Sequence, residues 1–267
     1  IKGKSHIEDN IEIELEACRP LICNETFYPY RNEKADVFVI FPYDVVKGIV
    51  TEIPFSTFKK RFPLAGNYLS KNKAKIQQNV ETWGEPSKWH LYTRVQNHGA
   101  TYPKILVPMT ALDTFASLAV SDKTYCDNAN VFFIDIPEKD ENSLYALSAV
   151  INSTVYSVLA RSIANPQSNG YFKFNKQFLE PVPFPKENFK QNTQLKLQLA
   201  KAAKKIDELQ NSYKTSSPTQ QRSFARLLTT QWNLLDELCY QLYELTETEK
   251  AFFTERGRNI DRVQLLN

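Results

Sequence analysis

The sequence predicts an α+β protein in which a mixed, mainly antiparallel β-sheet domain with packed helices is followed by an antiparallel helical hairpin. Short β-branched and aromatic segments in the first two-thirds of the chain end at prolines, as strands do. In the last third, apolar residues recur three and four apart, the spacing of packed helices. Residues 181–185 contain three prolines, which favour an extended linker. We therefore predict two domains, 1–185 and 186–267.

The predicted strands are short and lie between turn signals. Ile11, Ile13 and Leu15 alternate with glutamates, the period-two pattern of a half-buried strand. Three further strands are expected where continuous apolar runs meet a proline, at residues 37–41, 104–107 and 131–136. Tyr68 and Ile76 belong to a helical pattern that we expect to form one helix over about residues 68–80.

The helices of the second half are predicted from spacing and capping. Residues 144–163 have one apolar stripe and are expected to form one helix, with Asn142 or Ser143 as its cap. Residues 195–213 and 224–242 share the four-three spacing of a helical hairpin. Between them, Ser217 and Gln220 can form a capping box around Pro218 at the first helical position. A second capping box at 246–249 predicts a short last helix.

The composition is that of an ordinary globular chain. Its 267 residues are 42% hydrophobic and 24% charged, and the formal net charge is +3. There is no run of about 18 apolar residues and no signal-peptide pattern, so no membrane span is predicted. The four cysteines and three histidines lack zinc-ligand spacing, which predicts no metal site and free thiols in a reducing cytoplasm. Because the chain begins at Ile1 rather than Met, we expect it to be part of a longer protein.

Positive charge is concentrated in one part of the chain. Residues 51–110 carry nine basic and three acidic side chains, a net charge of +6, whereas residues 1–50 have a net charge of −3. Aromatic and amide side chains such as Trp89 and Gln96 are interleaved with these cations. Lysine and arginine bind phosphates, and arginine, glutamine and asparagine can read base edges. The pattern fits a nucleic-acid-binding surface, and a solvated basic face over an aromatic core fits the composition equally well.

The sequence contains no recognisable catalytic motif. It lacks the glycine-rich turn that binds S-adenosylmethionine, a Walker loop, a G-x-S-x-G elbow and an H-E-x-x-H pair. The tetrapeptide that grips a flipped adenine has Asn or Asp, two prolines and an aromatic ring. Residues 165–168 (NPQS) lack the second proline and the ring. We therefore expect no catalytic residue and no bound cofactor in this chain.

Six pairs or stretches of sequence occur in an order typical of one family. They are LEACRP at 15–20 with FPY at 41–43, FP at 62–63 with YL at 68–69, WHLYTR at 89–94 with PKILVP at 103–108, residues 128–134, LYALSAVINS at 144–153 with PVP at 181–183, and LLDEL at 234–238 with YELTE at 243–247. Together they resemble the TaqI-like C-terminal specificity (target-recognition) domain of adenine-specific type II and IIG restriction–modification DNA methyltransferases. One departure is Glu244, which stands where the family usually has glycine.

The resemblance implies sequence-specific recognition of double-stranded DNA. It further implies a methyltransferase domain on the same polypeptide, N-terminal to this chain, that flips adenine and methylates it at N6 with S-adenosylmethionine. Catalysis would then lie outside this chain. The DNA target sequence and any accompanying endonuclease activity are left open.

The candidate DNA-contacting residues fall in the basic stretch and in a later turn. For phosphate contacts we select Lys71 and Lys75, expected four apart on one helical face, together with Lys104 and Lys173. For base readout the candidates are two loops of polar residues: Arg94, Gln96, Asn97 and His98 in the first, and Ser168 and Asn169 in the second. Arginine can clamp guanine and asparagine or glutamine can clamp adenine. The alternative interpretation is that these lysines are ordinary solvated surface residues and that the later loop is a plain connecting turn, with no contact to DNA.

Two other functions remain compatible with the sequence. The chain could be the DNA-specificity subunit of a multi-subunit, type I-like restriction system, which recruits its methyltransferase in trans. It could also be a protein-interaction module whose helical hairpin pairs with another chain. Salt separates DNA binding from the last alternative, because binding to phosphates weakens steeply with salt and an apolar helical interface does not.

Overall fold

The computed structural model of the chain describes residues 1–5, 7–22, 29–30, 37–83, 85–92, 99, 103–119, 125–126, 131–134, 136, 140–258, 260 and 262. The fold is α+β with short, mainly antiparallel sheets, as predicted. The chain groups into two compact units. Unit 1 comprises Ile1–Ile22, Lys34–Tyr102 and Ser121–Asn128, and unit 2 comprises Cys23–Glu33, Pro103–Val120 and Ala129–Asn267. The division into domains at residue 185 stays a prediction.

The elements are short in the first half of the chain and long in the second. The strands are β1 (Lys2–Gly3), β2 (Ile11–Glu12), β3 (Cys18–Ile22), β4 (Val37–Ile40), β5 (Tyr43–Val46), β6 (Ile49–Glu52), β7 (Lys104–Pro108), β8 (Thr110–Ala111), β9 (Ser117–Ala119), β10 (Tyr125–Cys126), β11 (Val131–Ile134), β12 (Asn165–Pro166) and β13 (Phe172–Lys173). The helices are α1 (Phe55–Arg61), α2 (Pro63–Lys71), α3 (Lys73–Trp83), α4 (Glu141–Ile151), α5 (Thr154–Ile163), α6 (Lys176–Leu179), α7 (Lys186–Gln191), α8 (Thr193–Thr215), α9 (Pro218–Leu242) and α10 (Glu247–Arg256).

Unit 1 combines small sheets with three consecutive helices. Strand β3 pairs antiparallel with β4 and parallel with β10, while β5 and β6 form an antiparallel hairpin. Its core includes Phe58, Leu69 and Trp89. The strand predicted from the alternation of Ile11, Ile13 and Leu15 is shorter than expected, because β2 ends at Glu12 and Leu15 begins a 3₁₀ turn.

The helix predicted over residues 68–80 is in fact two helices. Helix α2 ends at Lys71 and α3 begins at Lys73, with Asn72 buried between them. The Asn72 side chain donates to the Tyr68 carbonyl and to the Glu8 carboxylate, at 3.0 and 2.6 Å. An asparagine satisfied by tertiary contacts of this kind competes with the continuous helical ladder, which periodicity alone does not reveal.

Unit 2 is built around a three-stranded antiparallel sheet and long helices. Strand β7 lies between β11 and β9, and all its residues are buried. The predicted single helix over residues 144–163 is divided into α4 and α5, bent by 58°. The cap of α4 is Asp140, whose carboxylate accepts the Ser143 N–H at 3.0 Å, rather than Asn142 or Ser143. Ser153 caps α5 by accepting the Tyr156 N–H.

The predicted helical hairpin is confirmed. Helices α8 and α9 pack along each other and are joined by residues 216–217. The predicted capping box of Ser217 and Gln220 is present, with Pro218 at the first helical position. Thr246 and Glu249 likewise form the capping box of α10. Within α9 the apolar stripe is buried through Leu228, Leu235, Leu238 and Leu242, and Trp232 is buried as well, whereas its neighbour Gln231 is partly exposed.

Among the described residues, no single helix is long and apolar enough to cross a bilayer. The bent pair α4–α5 reaches that length and apolar composition only when its two helices are counted together.

Candidate nucleic-acid interface

The three helices of unit 1 present a set of cations that we call the basic helical surface. Its members are Lys59, Lys60 and Arg61 on α1, Lys71 on α2, and Lys73 and Lys75 on α3, all of them exposed. The apolar faces of α1 and α2 are buried through Phe58, Ala65 and Leu69, which leaves the lysines on the outer side. Amphipathic helices of this kind bury one stripe and expose the opposite one.

Close packing of α1 against α2 holds the basic helical surface in shape. A Cβ built on Gly66 would lie 2.6 Å from Cγ and 2.7 Å from Cα of Lys59, so only glycine fits there. The N-terminus of α2 is held by Glu14, whose carboxylate accepts the N–H groups of Leu64 and Ala65 at 2.8 and 2.9 Å. A carboxylate at a helix N-terminus satisfies orphan donors and interacts favourably with the helix dipole.

The cations of this surface differ in how far their charge is already compensated. Arg61 pairs with Asp44 at 2.7 Å and Lys71 with Glu8 at 2.8 Å. Lys60 and Lys75 form no ion pair with any residue that the structure describes. Exposed ion pairs contribute about 0–1 kcal/mol, so a phosphate can readily replace the acid in either pair. The surface therefore offers both free and exchangeable cations.

Lys71 and Lys75 were predicted side by side on one helical face, and the structure places them on two helices. Both nevertheless act on Glu8. Hydrogen bonds from Lys71 and Asn72 hold the pKa of Glu8 below its ordinary value, and the charge of Lys75 works in the same direction. The two lysines thus share one anionic neighbour, although not through the helical spacing that the sequence suggested.

Lys104 occupies a position that argues against the phosphate role predicted for it. It lies on β7 and is only 9% exposed. Its ammonium group sits 5.6 Å from the centre of the Phe133 ring, a cation–π contact. The apolar run around it pulls the residue into the sheet, and we leave it out of the interface.

The turn between β12 and β13 is the second candidate surface, and it lies in unit 2. Strand β13 pairs with β12 on one side and β8 on the other, and residues 165–171 are all exposed. Asn169 and Gly170 have positive φ values of 58° and 77°. The turn is closed by the Gln167 N–H donating to the Tyr171 carbonyl at 2.7 Å. Ser168 and Asn169 are accordingly exposed on a defined turn, and their role in base readout stays a prediction.

Lys173 follows the turn on β13 and is half-buried. It is paired in register with Thr110 of β8, so its backbone is fixed by the sheet while its side chain keeps some access to solvent. The phosphate role predicted for Lys173 is neither supported nor contradicted by this position, and it stays a prediction.

Arg94, Gln96, Asn97 and His98 lie outside the described residues. The flanking residues are described, and both contact the same part of unit 1. Before the segment, the Tyr92 N–H donates to the Tyr43 hydroxyl at 2.7 Å, and the Tyr92 hydroxyl donates to the Ile40 carbonyl at 2.6 Å. After it, Gly99 packs against the backbone of Gly48, where a Cβ would lie 2.2 Å from the carbonyl oxygen. The two described flanking residues, Tyr92 and Gly99, thus lie beside β4, β5 and β6.

Selection of single residues from the sequence missed four of the exposed cations, namely Lys59, Lys60, Arg61 and Lys73. Helix α1 was not predicted, because its seven residues are too few for a clear periodicity. The net charge of +6 over residues 51–110 was the signal that contained them. Lys73 also lies over the ring of Trp89, 5.2 Å from its centre, which places a buried aromatic beneath the surface.

Other clusters of polar residues in unit 2 serve the fold. Asp236 and Arg262 form a largely buried ion pair at 3.0 Å, and both bond to Thr154 at the start of α5. Asp113 accepts a hydrogen bond from Ser157 and faces Arg161 at 3.4 Å. Burial raises the pKa of Asp113, against the opposing effects of Ser157 and Arg161. Across the described part of the chain, no group of three or more His, Cys, Asp or Glu is placed to hold a metal ion.

Exposed basic helices and an amide-bearing turn on an α+β scaffold are features of a nucleic-acid-binding domain. Residues 57–184, which include both, match the family model described as the TaqI-like C-terminal specificity domain. The resemblance read from the sequence is thereby confirmed over residues 57–184. The match identifies a DNA-recognition specificity domain of restriction–modification enzymes. A search of curated proteins finds no match.

Proposed function

We propose that this chain selects the DNA sequence acted on by an adenine-N6 DNA methyltransferase whose catalytic domain lies on the same polypeptide. The observation that carries the proposal is the family match over residues 57–184, a segment that contains the basic helical surface. S-adenosylmethionine would be bound by the catalytic domain, because the sequence of this chain has no glycine-rich turn for it. The chain itself binds duplex DNA and positions the target adenine for that domain.

The basic helical surface supplies affinity in this proposal. Each lysine or arginine that neutralises a phosphate releases condensed counterions, which is the main source of sequence-independent binding. Lys60 and Lys75 are ready to make such contacts, and Arg61 and Lys71 can exchange Asp44 and Glu8 for phosphates. Phosphate contacts set the register of the protein on the duplex and carry no sequence information themselves.

The exposed turn of residues 167–171 supplies base readout. Asn169 has an amide that can bond bidentately to adenine, and Ser168 can donate or accept. Because the backbone of the turn is closed by a hydrogen bond and anchored by β12 and β13, these side chains are presented without a large ordering cost. Arg94, Gln96, Asn97 and His98 complete the predicted readout set.

A salt titration of DNA binding tests the proposal. We expect the 267-residue chain to bind a random-sequence duplex at low ionic strength, with log K falling linearly as log salt rises. The double variant K60Q/K75Q should lower the magnitude of that slope by about two, since roughly one phosphate contact is lost per lysine. Lys190, an exposed lysine of α7, provides the matched control K190Q, which should leave the slope unchanged. Absence of duplex binding by the wild-type chain at low ionic strength would refute the proposal.

A groove on the helical hairpin favours the alternative of a specificity subunit that recruits its methyltransferase in trans. The groove has a volume of about 680 Å³ and is lined by α8 and α9 through Leu197, Leu234 and Leu238. Leu197 and Leu234 are 49% and 47% exposed. In this alternative a helix of the methyltransferase subunit covers the leucines, and L197S/L234S abolishes complex formation while DNA binding is kept.

A further inference from the structure

The tip of the β5–β6 hairpin in unit 1 exposes two large apolar side chains. Val46 and Ile49 are directly paired across the hairpin and are 66% and 71% exposed. Paired residues of an antiparallel ribbon project to the same face, so the two side chains form one continuous apolar tip. On the opposite face Val45 and Val50 are partly buried, as expected of an alternating strand. The outward face of such a strand is normally polar, as it is here at Asp44 and Thr51, but at the tip it is apolar.

The backbone of the hairpin has a defined turn, and ion pairs lie at its base. Lys47 and Gly48, the two turn residues, have positive φ values of 49° and 81°, the pattern of a type I′ turn that matches the twist of the strands. At the base, Asp44 pairs with Arg61 of α1 at 2.7 Å, and Glu52 pairs with Lys88 at 3.0 Å. The hairpin thus projects from the same part of unit 1 that bears the basic helical surface.

The positive charge at the tip of the hairpin favours nucleic acid as its binding partner. Lys47 stands between the two apolar residues and is exposed, so a phosphate-bearing partner can be bound beside an apolar contact. Gly99 packs on the turn at Gly48, and the residue before it in sequence is His98, the last of the predicted base-readout residues.

Dimensions favour the major groove. Two strands about 4.8 Å apart, with their side chains, make a ribbon roughly 10 Å wide. Such a ribbon fits the major groove, about 12 Å wide, and exceeds the minor groove, about 6 Å wide. Among the base edges exposed in the major groove, the C5 methyl of thymine is the apolar group.

We propose that the β5–β6 hairpin enters the major groove of duplex DNA and that Val46 and Ile49 contact thymine methyl groups there, with Lys47 on the adjacent phosphate. This inference rests on the proposed function and assigns part of the sequence preference to a feature outside the amide-bearing loops. It makes Val46 and Ile49 specificity-determining residues for A·T base pairs.

Replacing thymine by deoxyuridine tests the contact, because it removes only the methyl group. The preferred sequence of the wild-type chain is first selected from a pool of random duplexes, and each thymine in it is then replaced in turn. Wild type should lose about threefold to fivefold in affinity at one or two positions, the effect of exposing one buried methyl group. V46T/I49T keeps β-branched side chains and strand propensity, and it should bind thymine and deoxyuridine duplexes equally.

Val37 on β4 of the same unit is also an exposed valine, 48% exposed, so V37T is the matched control and should keep the wild-type discrimination. A second variant, K47N, suits the positive φ of the turn and should reduce the salt slope by about one.

The inference is overturned if wild type binds duplex DNA but discriminates no better than V46T/I49T. It is also overturned if a neighbouring 2-aminopurine reports unstacking without any thymine preference, since that is the behaviour of a minor-groove wedge. Failure of the wild-type chain to bind any duplex would instead count against the proposed function.

Discussion

The side-chain amide of Asn152 makes two hydrogen bonds to Ala116: its Oδ1 accepts the Ala116 N–H at 2.7 Å and its Nδ2 donates to the Ala116 carbonyl at 3.0 Å. Asn152 is 2% exposed and follows the last residue of α4. The next residue, Ser153, caps α5 and donates to the Val150 carbonyl at 2.7 Å. The Asn-Ser pair that ends the family-like stretch at 144–153 therefore joins a helix corner to the segment before β9.

Replacing Asn152 should destabilise unit 2 strongly. Asn152→Ala leaves the buried N–H of Ala116 without a partner, while the Ala116 carbonyl keeps the Tyr30 N–H at 3.1 Å. We expect a loss of about 2 kcal/mol in the free energy of unfolding. Chemical denaturation measures this loss. Asn142→Ala, at an exposed position in the first turn of α4, is the control and should change stability by less than about 0.5 kcal/mol. A small effect of Asn152→Ala would mean that water replaces the amide.

Local signals in the sequence predicted those parts of the fold that depend on neighbours along the chain. The capping boxes of Ser217 and Thr246 and the proline-terminated strand β7 are set by residues within a few positions, and they were predicted correctly. The breaks at Asn72 and Asn152 were missed, because each asparagine is satisfied by a distant partner, Glu8 or Ala116. Periodicity contains no information on such partners.

The sequence located the charged region of the candidate site more accurately than it selected the individual residues. The basic stretch was located by net charge, and its exposure on helices is what the structure shows. Lys104 was selected from the same charge, yet its apolar neighbours on β7 make it a buried residue. The exposed tip of Val46 and Ile49 was not selected, because an apolar pair reads as strand core until the structure shows which face is covered.

The ion pair of Asp236 and Arg262 should be essential for the stability of unit 2. Arg262 is 7% exposed, bonds to Asp236 and Thr154, and lies over the Trp232 ring with its guanidinium carbon 4.7 Å from the ring centre. Arg262→Met leaves the carboxylate of Asp236 largely buried without its cation, and we expect a loss of about 3–5 kcal/mol in unfolding free energy.

A double-mutant cycle measures this pair. Asp236→Asn combined with Arg262→Met should cost less than the sum of the single substitutions, because neither charge is left unpaired. Arg258→Met breaks an exposed pair with Glu255 and should cost no more than about 1 kcal/mol. Strict additivity of the two buried substitutions would contradict the coupling.

Acid should weaken unit 1 in part through Glu14. Partial burial acts to raise the pKa of Glu14, but the hydrogen bonds from the Ala65 and Leu64 N–H groups outweigh it, and the pKa lies below the ordinary value of 4.5. A carboxyl with a depressed folded pKa contributes stability above its unfolded pKa and loses it as pH falls through the folded pKa. Glu14→Gln should therefore destabilise the chain by about 0.5–2 kcal/mol at pH 7 and by less below pH 4.

Denaturation of wild type and Glu14→Gln at pH 7 and pH 3 measures that difference. Glu16→Gln changes an exposed glutamate close by in sequence and should have little effect at either pH. A destabilisation by Glu14→Gln that is the same at both pH values would show that side-chain shape, rather than charge at the start of α2, is what matters.

Glu8 should oppose DNA binding, because it occupies the cations that phosphate would use. Its carboxylate accepts hydrogen bonds from Lys71 at 2.8 Å and from Asn72 at 2.6 Å, and it lies in the field of Lys75. Glu8→Gln keeps the shape and a hydrogen-bonding side chain but removes the negative charge. On the proposed function, we expect duplex affinity to rise about twofold to fivefold at low salt, with the gain shrinking as salt rises.

Fluorescence anisotropy with a labelled duplex measures the change. Glu180→Gln makes the same change in net charge on an exposed residue of unit 2 and separates this local effect from the total charge. A fall in affinity for Glu8→Gln would show instead that Glu8 is needed to hold Lys71 in its binding position.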